Sequence, residues 1–200
     1  MAECRVLDGV MVAKAIRDDL ADRVRAVQQA LGRPPALGIV LVGDDPASEV
    51  YVRNKVKTGA ESGLTVDLIR LAATASLEDV LAEVRRLNAS PVHDGILVQS
   101  PLPAALGPHA EMTVFETIDP AKDVDGFSPV NVGRLVQNRA TLRSCTPAGV
   151  MEMLRRSDIP VAGRHAVVIG RSDIVGKPMA LLLLHRHATV TVCHLSLIHI

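Results

Sequence analysis

The stretch ALGIVLVGDDPASEV, residues 36–50, changes character at Gly43. Before that glycine lies a continuous apolar run, bounded by Pro35 on its other side, the pattern of a strand buried on both faces. After it, Asp45-Pro46 reads as a helix N-cap followed by proline in the first helical position. The helix so opened carries Tyr51 and Lys55 one turn apart. A doubly buried strand feeding straight into a helix is half of a crossover unit, so a mainly parallel sheet is expected.

The alternation extends in both directions. Upstream, Ala13, Ile16, Leu20, Val24, Val27 and Leu31 recur at steps of three and four, an amphipathic helix ended by Gly32. Downstream, TVDLIRL (65–71) reads as a second strand. Ser76 and Asp79 then mark a capped helix start, followed by the stripe Leu77, Val80, Leu81, Val84 and Leu87. GILVQ (95–99) is a third buried strand. Beyond residue 100, SPLPAALGPHA and IDPAKDVDGFSPVNVG are rich in Pro, Gly and Asp and read as ordered loops. A new unit opens near CTPAGVMEML, with Thr146 as N-cap and Pro147 at the first helical position. HAVVIG (165–170) is a strand, IVGKPMALLLLHRH begins a helix, and ATVTVCH is another strand. The expected class is α/β, with a three-layer, mainly parallel N-terminal domain over 1–145 and a second α/β domain over 146–200. No internal repeat or low-complexity segment is visible.

Composition narrows the partners. The chain has 200 residues, and its 22 basic and 22 acidic residues cancel. A neutral chain offers no electrostatic reason to expect nucleic acid or an anionic membrane. Three scattered cysteines, Cys4, Cys145 and Cys193, suggest a reducing compartment. MAECRVLDGV lacks a basic region followed by an apolar run, and no apolar run approaches the ~20 residues needed to span a bilayer. A soluble cytoplasmic protein is expected. His185, His187, Cys193, His194 and His199 crowd the end of the chain but lack C-x-x-C or H-E-x-x-H spacing, so no metal is expected.

In the second unit, VVIGRSDIVGKP places Gly170 at the end of a strand and Gly176 at the start of a helix. Helix N–H groups meet a dinucleotide pyrophosphate at such a position in open parallel sheets. The G-x-G-x-x-G pattern is absent because Ser172 occupies the second glycine position. By itself the segment reads equally as a plain turn. Arg171 adds a cation for a phosphate, or is a solvated surface arginine.

Four blocks, YVRNKVKTGAESG, DGILVQSPLP, KDVDGFSPVNVGRL and VVIGRSDIVGKPMALLLLHRHATVTVCH, stand in order. Together they resemble the bifunctional methylenetetrahydrofolate dehydrogenase/cyclohydrolase family, from about residue 5 to His194. The resemblance implies an N-terminal folate domain, a Rossmann-like NADP domain and a cleft between them. It implies NADP-dependent oxidation of 5,10-methylenetetrahydrofolate to the methenyl form, then hydrolysis to 10-formyltetrahydrofolate. NADP is implied rather than NAD, and a homodimer through the cofactor domain of the full-length protein.

Positions 51 and 55 lie on one helix face. By themselves they read as an exposed lysine beside a half-buried core tyrosine. The resemblance implies that Tyr51 packs against the folate ring system and that Lys55 is the principal catalytic residue. Gln99 would partner Lys55, and Pro101, Leu102 and Pro103 would shape the folate pocket. Ser100, where many family members have Leu, is taken as tolerated variation. Asp125 would bind the pterin edge, because a carboxylate accepts two N–H bonds from an amino-pyrimidine. Asp123 is expected to order the loop, and Asp119 and Lys122 to be solvated. Cys145 is expected to pack. The cofactor would meet Thr146, Gly170, Arg171, Ser172, Ile174, Val175 and Gly176. No G-x-x-x-x-G-K-[ST] is present for the ATP-dependent activity of some family members.

After His194 the chain departs from the family. Leu195 stands where a serine often helps hold the cofactor 2′-phosphate, and the ending LSLIHI resembles no family segment. The expectation is a truncated or misread second domain without dehydrogenase activity. A non-catalytic folate-binding or assembly module is the alternative.

Overall fold

The computed structural model describes residues 4–140 and 142–194. By internal contacts the chain divides into two compact units, Arg17–Val124 and a second made of Met1–Ile16 with Asp125–Ile200. The boundary expected at 145 rests on texture alone; the contacts divide the chain earlier, after Val124.

In the unit Arg17–Val124, β1 (Ala36–Val42) lies between β2 (Thr65–Leu71) and β3 (Gly95–Val98), all parallel. Ile39 stands opposite Leu68 on one side and Leu97 on the other. Because side chains alternate along a strand, β1 feeds two cores. Val40 and Val42 pack with Ile96 and Val98 against Val80, Leu81, Val84 and Leu87 of α3 (Leu77–Ala89). Val114 of α4 (Ala110–Thr117) joins the same cluster. Ile39, Leu41 and Leu97 pack against Val52 of α2 (Pro46–Glu61). The expected three layers are therefore helix, sheet and helix, and each fully buried aliphatic side chain contributes about 1.5–3 kcal/mol.

The helix starts follow the sequence closely. The Asp45 carboxylate accepts the Ser48 N–H at 2.7 Å, and this bond holds it below the usual carboxylate range. Ser76 and Asp79 form a reciprocal capping box, with Asp79 accepting the Ser76 N–H at 2.8 Å. α1 (Gly9–Leu31) ends where Gly32 adopts φ +67°. Its apolar stripe differs from expectation: no residue of the helix is buried, and Leu20, Val27 and Leu31 are exposed.

α5 (Pro129–Val136) corrects the loop reading of the segment that ends at Gly133, and α4 lies between the two segments read as loops, where no element was assigned. Both are only two turns long, and the surrounding Pro, Gly and Asp mask their periodicity. The start of α5 was visible in principle, since Ser128 caps it and Pro129 is its first residue. Lys122 is not a solvated bystander either, whereas Asp119 is exposed as expected and also makes local hydrogen bonds. The Asp119 carboxylate accepts the Ala121 N–H, and its own N–H donates to the Asn88 side chain, both at 2.9 Å. Lys122 Nζ donates to the carbonyls of Leu87, Asn88 and Ser90 at 3.2, 2.8 and 2.7 Å. These carbonyls lie at the end of α3, where a cation is favoured. Lys122→Met is expected to lower stability by about 1.5–3 kcal/mol, the range for hydrogen bonds to a charged group. Urea unfolding measures it, and an unchanged midpoint would mean that water replaces the ammonium without loss.

In the other unit, β4 (His165–Ile169) pairs in parallel with β5 (Thr189–Cys193), Val167 opposite Thr191. α7 (Gly176–Leu184) connects them and buries Pro178, Leu182 and Leu183. Val167, Ile169 and Val192 are exposed. α6 spans Cys145–Arg156 with Ser144 at its N-cap position, which corrects the assignment of Thr146. Ser144 makes no side-chain cap; its hydroxyl donates instead to the Ile174 carbonyl.

Candidate active site

In the first unit the site begins with α2. The Asp45-Pro46 start fixes the phase of that helix, so Val52 and Val56 turn into the core. Lys55 is half-buried and Tyr51, one turn earlier, is exposed. Arg53 and Lys57 are exposed, as a helix of this phase requires. Lys57 pairs with Glu61 at 3.9 Å. Arg70 reaches from β2 to Glu49 in the first turn of α2 and, by hydrogen bonding, holds that carboxyl below its usual range.

Gln99 follows the last residue of β3 and is buried. Lys55 Nζ donates to Gln99 Oε1 at 3.0 Å, although the residues are 44 positions apart. Gln99 Nε2 donates in turn to the Ser100 carbonyl at 2.6 Å. The amide is thus held at both ends, with its oxygen toward the amine. Among the three residues expected to shape a pocket wall, Pro101 is exposed and Pro103 half-buried. Leu102 packs on the core cluster of Val40 and Val98. Ser100 is more than a tolerated replacement, because its hydroxyl donates to Glu111, a residue the sequence pattern did not single out.

Asp125 belongs to the other compact unit. Its Oδ1 lies 3.8 Å from Cys145 Sγ, at the first residue of α6. Cys145 is exposed, which corrects its expected packing role. Thr146 follows it, also exposed. Asp123, in the first unit, is buried, and its backbone bridges to Ile96 beside β3.

Gly170 to Gly176 form the turn from β4 to α7. A Cβ on Gly176 would stand 2.4 Å from the Gly170 carbonyl oxygen and 2.9 Å from Arg171 Cα. Only glycine permits that approach of two backbones. A Cβ on Gly170 would meet nothing within 4 Å, so the turn is open on that side. The Ser172 hydroxyl accepts the N–H groups of Val175 and Gly176 at 3.2 and 3.1 Å. Ile174 is tied to Ser144 through its carbonyl, while Arg171 and Val175 are exposed. Gly176→Ala is expected to disrupt this turn, since the opposing atoms are backbone and cannot step aside. A thermal melt should fall by several degrees; an unchanged melt would show that the turn reopens freely.

Among the described residues, no group of three or more His, Cys, Asp or Glu is placed to hold a metal. Leu195 and His199 lie outside the described residues.

The architecture agrees with the comparisons. Residues 7–125 match the model of the tetrahydrofolate dehydrogenase/cyclohydrolase catalytic domain, and residues 144–199 match that of its NAD(P)-binding domain. The chain belongs to the tetrahydrofolate dehydrogenase/cyclohydrolase family. Within the family it is 54% identical over 190 residues to the bifunctional protein FolD of Solibacter usitatus, covering 95% of this chain and 61% of that one. FolD of Magnetococcus marinus is 50% identical, with 94% and 65% covered. The FolD structure from Trypanosoma brucei, solved with NADP and an inhibitor, superposes with a TM-score of 0.90 at 38% identity, covering 97% of this chain and 65% of that one. The Campylobacter jejuni enzyme gives 0.87 at 40% identity, covering 95% and 66%. The chain therefore spans about 61–66% of the length of these relatives.

Proposed function

We propose that this chain carries the residues for two chemistries: NADP-dependent oxidation of 5,10-methylenetetrahydrofolate, and hydrolysis of the methenyl product to 10-formyltetrahydrofolate. The supporting observation is the 3.0 Å contact between Lys55 and Gln99. When water adds to the methenyl carbon, it must lose a proton. The ring nitrogen whose bond to that carbon breaks must gain one. An amine held in place by a buried amide is suited to carry that exchange. Tyr51, exposed one turn away on the same helix, supplies a ring for stacking. Asp125 supplies a carboxylate for the amino-pyrimidine edge of the pterin.

The turn Gly170–Gly176 fits a dinucleotide, because it is open at Gly170 and begins a helix. Gly170, Arg171, Ser172, Ile174, Val175 and Gly176, with Thr146, would hold NADP, whose nicotinamide accepts hydride when bound. Arg171 provides the exposed cation for a phosphate. A homodimer through this unit and a cytoplasmic location belong to the same proposal. No helix among the described residues is long and apolar enough to cross a membrane.

The test is to follow appearance and decay of the methenyl product by absorbance, with NADP and then NAD. The 200-residue chain is assayed beside a chimera that carries the remaining length of the Solibacter relative. Turnover by the chimera supports the proposal. Absence of both reactions in chain and chimera, each folded, would overturn it.

A further inference from the structure

The segment after β3 is held by one carboxylate from outside the Lys55–Gln99 pair. Glu111 lies in the first turn of α4. Its Oε1 accepts two hydrogen bonds, from the Ser100 hydroxyl and from the Leu102 backbone N–H, the latter at 3.0 Å. An ionised carboxylate is acceptor-only, so two converging donors suit it, and a helix start favours its charge. Glu111 thereby pins the backbone of residues 100–102 on both sides of Pro101.

That backbone matters because Gln99 depends on it. The terminal torsion of a glutamine is broad and nearly two-fold, and its oxygen and NH2 group occupy similar space. Turned over, Gln99 would present NH2 to the Lys55 ammonium, donor against donor. The observed orientation is selected by the Ser100 carbonyl, which accepts from Gln99 Nε2 at 2.6 Å. The direction of that carbonyl follows the backbone that Glu111 holds. A continuous series of contacts thus runs from Lys55 through Gln99 and Ser100 to Glu111.

We infer that Glu111 is a positioning residue for the hydrolytic site: it fixes the 100–102 backbone and so keeps the Gln99 amide oxygen directed at Lys55. This rests on the proposed role of Lys55 as the proton-exchanging amine, but the coupling is measurable without turnover. An amine engaged with an acceptor acylates more slowly than one released from it. Acylation of Lys55 by an N-hydroxysuccinimide ester is followed by peptide mass spectrometry on the folded chain, with exposed Lys57 as internal reference. Glu111→Ala is expected to raise the Lys55-to-Lys57 rate ratio about three- to tenfold, the factor that one such hydrogen bond is worth. Glu111→Gln keeps an acceptor oxygen and should stay within about twofold of the parent. Gln99→Leu should match Glu111→Ala, and the double variant should add nothing, because both act through one contact.

An unchanged ratio in folded Glu111→Ala, a Gln variant as reactive as the Ala variant, or additive effects in the double variant would each overturn the inference. If Glu111→Ala does not fold by circular dichroism, Ser100→Ala decides. Removing one of the two donors should raise the ratio by about twofold, and no rise overturns the inference. Hydrolysis by Lys55→Met separates the two readings. Survival of hydrolysis with a responsive ratio sinks the functional reading of Lys55 while the coupling stands. Loss of hydrolysis with an unresponsive ratio keeps the functional reading and sinks the coupling.

Discussion

Lys55→Met is expected to abolish hydrolysis of methenyltetrahydrofolate while the fold is retained. Met keeps most of the length and apolar stem of lysine, so Val52 and Val56 beside it on α2 keep their packing against the sheet. What disappears is the nitrogen that donates to Gln99 at 3.0 Å. General acid–base help is typically worth about 10²–10⁴-fold in rate, and loss of the proposed proton-exchanging amine should fall in that range or beyond. The removal also leaves buried Gln99 Oε1 without its lysine donor, which predicts a modest stability loss of about 1–3 kcal/mol. Hydrolysis followed by absorbance in the chimera, with circular dichroism as the folding control, makes the measurement. Near-parental hydrolysis in a folded variant would remove Lys55 from the mechanism.

Asp125→Ala is expected to weaken folate binding about ten- to a hundredfold, the equivalent of one lost charge-assisted hydrogen bond. Binding of NADP should change far less. Asp125 Oδ1 accepts from the Cys145 thiol at 3.8 Å, so circular dichroism of the variant serves as the folding control. Separate calorimetric titrations of the two ligands give the comparison. Equal losses for both would assign Asp125 to the architecture of its loop.

Much of the first unit was legible because its signals are local. A strand buried on both faces reads as an unbroken apolar run, and β1 sits in the centre of its sheet as that run requires. Asp45-Pro46 and the Ser76/Asp79 box place helix starts within a single turn of chain. The same logic failed where elements are short. α4 is eight residues long, and its buried Ala110 and Val114 are one pair of positions, too few to establish a period against neighbouring Pro and Gly. Thr146 looked like a cap because Pro147 follows it, yet the helix begins two residues earlier, at Cys145, with Ser144 bonded to Ile174. α1 shows the opposite failure, a clean amphipathic stripe whose apolar residues are not buried.

The sequence by itself determined the α/β class, the mainly parallel sheet implied by alternating elements, and the family through four blocks in register. These depend on spacing within a few residues, where backbone geometry leaves few choices. Tertiary structure decided the partners of polar groups that lie far apart in the chain. The contact of Lys55 with Gln99 spans 44 positions, and spacing within the chain could not supply it; only the resemblance implied it. Lys122 on the end of α3, at separations of 32 to 35 positions, and Glu111 on Ser100 had no local signal at all. A long charged side chain looks the same in sequence whether water or three carbonyls receive it. Which of these it meets is fixed by the packing of the sheet and its helices, because that packing decides which backbone groups lie within reach.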